Sequence, residues 1–74
     1  MNNNVIYSIN GPVVKVKDTV SFSMLEMVYV GNDSLMGEVI SISKEFTTIQ
    51  VYETTTGLKP GEPVVSLVRQ SVQR

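Results

Sequence analysis

No stretch of this chain runs far before a turn residue stops it. Asn10-Gly11-Pro12, Gly31-Asn32-Asp33, Gly57 and Lys59-Pro60-Gly61 cut it into short runs, and β-branched residues dominate between them. Strands average about 5–6 residues and helices about 11–12, so this punctuation leaves room for strands and little for helices.

The runs can be placed one by one. Val5 to Ile9 is the first, stopped by Gly11, which accepts φ > 0, and Pro12, which lacks a donor. Val13 to Lys17 alternates, with Val14 and Val16 on one face and Lys15 and Lys17 on the other, the pattern of a half-buried strand. Asp18 to Ser23 is irregular. Met24, Met27 and Val28 match helical spacing, yet the stretch ends at Gly31, so Met24 to Val30 reads as a strand. Met36 to Ser43 and Phe46 to Glu53 read as a hairpin. Ile40 and Ile42 share one face of its first strand, and Ile49 and Val51 one face of its second. Glu53 to Gly57 is a loop or single helical turn. In Lys59-Pro60-Gly61 the proline and glycine suit the two central turn positions. Pro63 opens the last strand, through Val68.

Six such strands are too short to bury both faces as an open sheet. The expectation is an all-β fold, a small closed six-stranded β-barrel filled by its own side chains. One domain spans 1–74, with strands over about 5–68 and frayed ends at 1–4 and 69–74. With 74 residues the core is marginal. Met24, Met27 and Met36 are expected mainly to fill it.

Composition excludes much chemistry. The chain has no Cys and no His, so disulfide staples, thiol nucleophiles, imidazole bases and Cys/His metal sites are all missing. An intracellular setting follows as the expectation. Net charge is −1, from six Lys+Arg against seven Asp+Glu, without the basic excess usual in nucleic-acid binders. No apolar run reaches the roughly 20 residues of a membrane span, and Met1-Asn2-Asn3-Asn4 does not resemble a signal peptide. Gly57 and Gly61 enclose Leu58-Lys59-Pro60, but no Lys-Ser or Lys-Thr follows to make a phosphate loop. Glu26, Glu38, Glu45, Glu53 and Glu62 are scattered along the chain, and Asn32-Asp33-Ser34 lacks the spacing of a calcium loop. No catalytic, cofactor or metal residue is expected. Lys15, Lys17, Tyr29 and Tyr52 could together make a basic, aromatic strand face for single-stranded nucleic acid, but two lysines on an alternating strand are usually just its solvated face.

From Gly11 onward the sequence resembles the N-terminal domain of the catalytic A subunit of V/A-type rotary ATPases. The resemblance rests on Gly11-Pro12-Val13-Val14, on Met24, Glu26, Val28, Val30 and Gly31, and on Gly37-Glu38-Val39-Ile40. It continues through Thr48-Ile49-Gln50-Val51-Tyr52-Glu53, Thr55, Gly57-Leu58 and Pro60-Gly61-Glu62-Pro63-Val64, with no gap. Tyr52-Glu53 and Pro60-Gly61-Glu62-Pro63 favour the A subunit over its non-catalytic partner, the B subunit. Asp18 and Ser21 stand where the family has glycines, and Lys44 stands at its hairpin glycine. A positive φ at Lys44 would cost about 1 kcal/mol. Leu67 to Val72 departs from the family pattern.

The resemblance implies a six-stranded barrel without chemistry of its own. In the family, such barrels from alternating A and B subunits form a ring that holds the hexamer of an ATP-driven proton or sodium pump. ATP and Mg belong to parent domains beyond this sequence. The implied partners are the B subunit, together with other ATPase subunits, without nucleic acid or direct membrane contact. The isolated domain is expected to be monomeric. Exposed strand edges would pair with neighbours. The implied location is cytoplasmic, peripheral to the membrane. The alternative is a stand-alone barrel binding nucleic acid or peptide.

Overall fold

The computed structural model describes residues 4–67. Six strands follow in chain order: β1 (Ile6–Asn10), β2 (Val13–Val16), β3 (Met27–Val30), β4 (Leu35–Ile42), β5 (Thr47–Val51) and β6 (Val64–Ser66). The alternation that marks Val13 to Val16 as a strand produces its burial: Val14 and Val16 are buried and Lys15 is exposed. The expected frayed ends lie outside the described residues, apart from Asn4, and so does Val68 of the last strand.

All pairings are antiparallel, in the order β1-β2-β5-β4-β3-β6. The sheet curls into an open half-barrel, the coarser part of the barrel expected from the sequence. Its two outer strands are linked at one end. Val5 and Pro63 form an isolated bridge. The Ile6 amide donates to the Glu62 carbonyl (2.9 Å), and the Val64 amide donates to the Asn4 carbonyl (2.9 Å). These groups are therefore not left open for strand pairing with a neighbour, as exposed edges would be.

The concave side holds the core. Val14, Val16, Val28, Val30, Val39, Ile49 and Val64 are completely buried there, each worth about 1.5–3 kcal/mol relative to exposure. Phe22, from the loop after β2, is buried in this core, while Leu58 packs against it from the β5–β6 connection.

Two expectations about facing side chains need correction. Ile40 and Ile42 do not share a face. The β4–β5 register slips between Val39 and Ser41, which places an extra residue, Ile40, on β4. That bulge sends Val39 inward at 0% exposure and leaves Ile40 38% exposed. The methionines do not fill the core either. Met24 is 54% exposed, and Met27 and Met36 are half-buried at positions that alternate with the inward-facing Val28 and Gly37. The strand expected from Met24 begins only at Met27, because Leu25 adopts φ 66° and breaks the extended run.

Lys44 shows no positive φ. The β4–β5 turn is instead closed by Ser43, whose Oγ accepts from the Phe46 amide (3.1 Å) and donates to the Phe46 carbonyl (3.2 Å). A lysine therefore sits there without the left-handed strain. In the loop after β2 the Asp18 carboxylate accepts from the amides of Val20 (3.1 Å) and Ser21 (3.0 Å).

Candidate functional site

Most of the motif residues scattered along the sequence meet at one end of the sheet. The Gly31 amide donates to the Pro63 carbonyl (2.7 Å), and the Gly61 amide to the Ile6 carbonyl (2.8 Å). The Glu62 carboxylate accepts from the Asn32 amide (2.9 Å), which ties the β5–β6 connection to the β3–β4 turn. Gly31 has φ 82°, and a side chain there would collide with Leu58 and Glu62. Lys59-Pro60-Gly61-Glu62 is the expected turn: the Glu62 amide donates to the Lys59 carbonyl (3.3 Å), and Gly61 has φ 95°.

The same end gathers the other motif strings. Thr55 Oγ1 donates to the Gly11 carbonyl (2.9 Å). The Pro12 carbonyl accepts from the Val51 amide (2.8 Å). Gly57 has φ 91° in the turn that carries Leu58. The Glu53 carboxylate accepts from the Met36 amide (2.9 Å). Glu53 and Glu62 thus act as acceptors for backbone donors that no ladder satisfies.

Gly37, Gln50, Glu38 and Tyr52 lie elsewhere. Gly37 is in the core, where an added Cβ would stand 2.9 Å from Ile49 Cγ2 and 3.1 Å from the Gln50 carbonyl. Gln50 is exposed on the outer face of β5.

On that outer face the Tyr52 hydroxyl donates to the Glu38 carboxylate. This bond, then desolvation and the Glu38 charge, raise the Tyr52 pKa above 10.0. Glu26 is held by Ser66 Oγ and by the Ser23 amide (2.7 Å). Among the described residues no group of His, Cys, Asp and Glu is arranged to hold a metal ion. No helix among them is long and apolar enough to cross a membrane.

The lysines of β2 and its flank meet aromatics, but not the ones expected. Lys15 Nζ lies 5.5 Å from the Phe46 ring centroid, and Lys17 Nζ 4.8 Å from that of Tyr7. The two rings are 5.1 Å apart and tilted by 40°. Tyr29 on β3 instead stands opposite Met36 of β4 and Val65 of β6, and Tyr52 sits beside Glu38. The outward alternation of Lys15 and Lys17 was visible in sequence. The approach of Tyr7 and Phe46 depends on β1 and the β4–β5 turn flanking β2, which local spacing does not report.

Comparison with known proteins converges on one family. Over 61 residues the chain is 52% identical to the V-type ATP synthase alpha chain of Halothermothrix orenii, covering 82% of this chain and 10% of that protein. It is 55% identical over 62 residues to the A subunit of the A-type ATP synthase of Haloferax volcanii, covering 84% and 10%. The catalytic A subunit of the V-type proton ATPase of Neurospora crassa is 52% identical over 60 residues, covering 81% and 10%. The chain therefore spans about a tenth of the length of these relatives. The assembled ATPase EscN of the enteropathogenic E. coli type III secretion system shares the fold, with TM-score 0.74 and 18% identity over 84% of this chain and 15% of that one. The sequence model of the ATP synthase alpha/beta family, beta-barrel domain, matches residues 6–67, and the chain belongs to that family.

Proposed function

We propose that this chain is the N-terminal assembly barrel of the catalytic A subunit of a V/A-type ATPase or ATP synthase. It helps hold a ring of alternating A and B subunits, on the cytoplasmic side of the membrane, in a proton or sodium pump. ATP and Mg act in other domains of the parent protein. The observation that carries this reading is the identity of about half the residues, across four-fifths of the chain, to proteins named as the A subunit or alpha chain. The site geometry supports it, because the motif residues brought together brace the backbone rather than assemble reactive groups. The reading takes the barrel to be one closed domain, supported by the Val5–Pro63 bridge and the hydrogen bonds beside it.

Two titrations followed by amide NMR test this function. Adding MgATP to the chain leaves its spectrum unchanged, whereas saturable shifts would count against a purely structural domain. Adding the N-terminal barrel of a B subunit shifts a contiguous set of surface amides. A spectrum unmoved by that barrel at high concentration would defeat the assembly role.

A further inference from the structure

The tip of the β1–β2 hairpin carries a chemically labile pair of residues. Asn10 stands opposite Val13, so Gly11 and Pro12 form a two-residue loop. Gly11 has φ 60°, as the first central position of a type II′ turn requires. Asn10, Gly11 and Pro12 are exposed, and nothing stands within 4 Å of the place a Cβ on Gly11 would take. The Gly11 amide and the Asn10 carboxamide form no hydrogen bond among the described residues. An asparagine carboxamide is an acyl group held close to the next backbone nitrogen, and only glycine leaves that nitrogen uncrowded by a side chain. Asn10 is the one asparagine followed by glycine: Asn2 and Asn3 precede asparagines, Asn4 precedes Val5, and Asn32 precedes Asp33.

We propose that Asn10 is a site of spontaneous deamidation, and that the hydrogen bond from Thr55 to Gly11 restrains the reaction. Hydroxide removes the Gly11 amide proton, the nitrogen bonds to Asn10 Cγ, and the Cγ–Nδ2 bond breaks. Nδ2 takes up a proton and leaves as ammonia, and a succinimide ring remains. Water then opens either of the ring's C–N bonds. Opening at Cγ leaves aspartate at position 10. Opening at the backbone carbonyl leaves isoaspartate, whose main chain runs through Cβ and Cγ. The ring closes only when Cγ comes over the Gly11 nitrogen. As the last residue of β1, Asn10 is held extended by its pairing with Val13, so the hairpin tip must open first. Two bonds oppose that opening. Thr55 Oγ1 donates to the Gly11 carbonyl (2.9 Å), and the Val51 amide donates to the Pro12 carbonyl (2.8 Å). Isoaspartate lengthens the loop by a backbone carbon, which a two-residue turn does not absorb. It therefore loosens the Thr55 bond at the end of the sheet where the motif residues meet. This chemistry needs no partner and holds whether or not the chain is an assembly barrel.

Incubation of the full chain in mildly alkaline buffer, followed over time by peptide mass mapping, tests this. The segment holding Asn10 gains the mass that separates a carboxylic acid from a carboxamide. Fragmentation places the change at position 10, and isoaspartyl methyltransferase labels the product. Mildly acidic buffer slows the change, and Asn10→Gln removes it. Thr55→Val deletes the donor and keeps the shape of the side chain, and it speeds the change several-fold. Unfolding the chain in urea speeds it further. Exchange of the Ile49 amide reports the global stability of each variant. An Asn10 that stays intact while Asn4 or Asn32 converts would overturn the site. So would an Asn10 that converts only in urea. Equal rates in Thr55→Val and the unsubstituted chain would overturn the restraint. An acceleration by Thr55→Val matched by an equal acceleration of Ile49 exchange would do the same, because global unfolding would then gate the reaction.

Discussion

Gly37 and Tyr52 show how single residues in one family motif region serve different ends. Gly37 is glycine because β4 passes so close to β5 that a methyl group would press on a backbone carbonyl, which has little freedom to retreat. Gly37→Ala is expected to destabilise the chain by about 1–3 kcal/mol through overpacking, read as a lower urea midpoint with an unchanged slope. Tyr52 is exposed, and its neighbour Glu38 tunes it. Because the hydrogen bond to Glu38 favours the neutral phenol, the folded pKa lies above 10.0. The stabilisation this gives is complete below about pH 10, the unfolded value, and is lost as pH rises through the higher folded value. A titration of the Tyr52 ring carbon by NMR should therefore show ionisation at higher pH than in an unfolded control. Glu38→Gln should move it back toward the control. An unshifted Tyr52 in the unsubstituted chain would contradict the bond.

At the scale of elements, β4 separates what local sequence determines from what packing determines. Its strand character follows from its β-branched residues, but its facing does not. A strict period of two predicts that Ile40 and Ile42 point the same way. The slip between Val39 and Ser41 resets that period partway along the strand. Val39→Ala should cost about 2 kcal/mol by opening a void against the core. Ile40→Thr should change stability by less than about 0.5 kcal/mol. The reverse order in chemical denaturation would mean that no bulge exists. β2 was legible because its alternation, at Val14, Lys15 and Val16, is uninterrupted. The loop from Asp18 to Glu26 was not, because its form comes from contacts distant in sequence. Thr47 Oγ1 donates to the Asp18 carbonyl (2.8 Å), and the Leu25 amide donates to the Val39 carbonyl (2.8 Å). The candidate site divides the same way. The motif strings were readable one by one, but their gathering around Gly31 and Pro63 required the whole chain to close on itself.

For the whole molecule the decisive matter is the seam between β1 and β6. An open six-stranded sheet has two edges whose amides fray independently of the centre, whereas a closed barrel has none. The seam donors are the amides of Ile6, Gly61 and Val64, and their acceptors are the carbonyls of Glu62, Ile6 and Asn4. If these bonds close the barrel, the Ile6 and Val64 amides should exchange hydrogen only by global unfolding, at the same free energy as Ile49 in the central strand β5. Deleting residues 1–5 removes the Asn4 carbonyl and the Val5–Pro63 bridge. Val64 should then exchange far faster than Ile49, while the pairing of β2, β5, β4 and β3 persists. Ile6 and Val64 exchanging quickly in the intact chain would mean the half-barrel stays open. Its free edges would then be the natural place for a neighbouring strand to add.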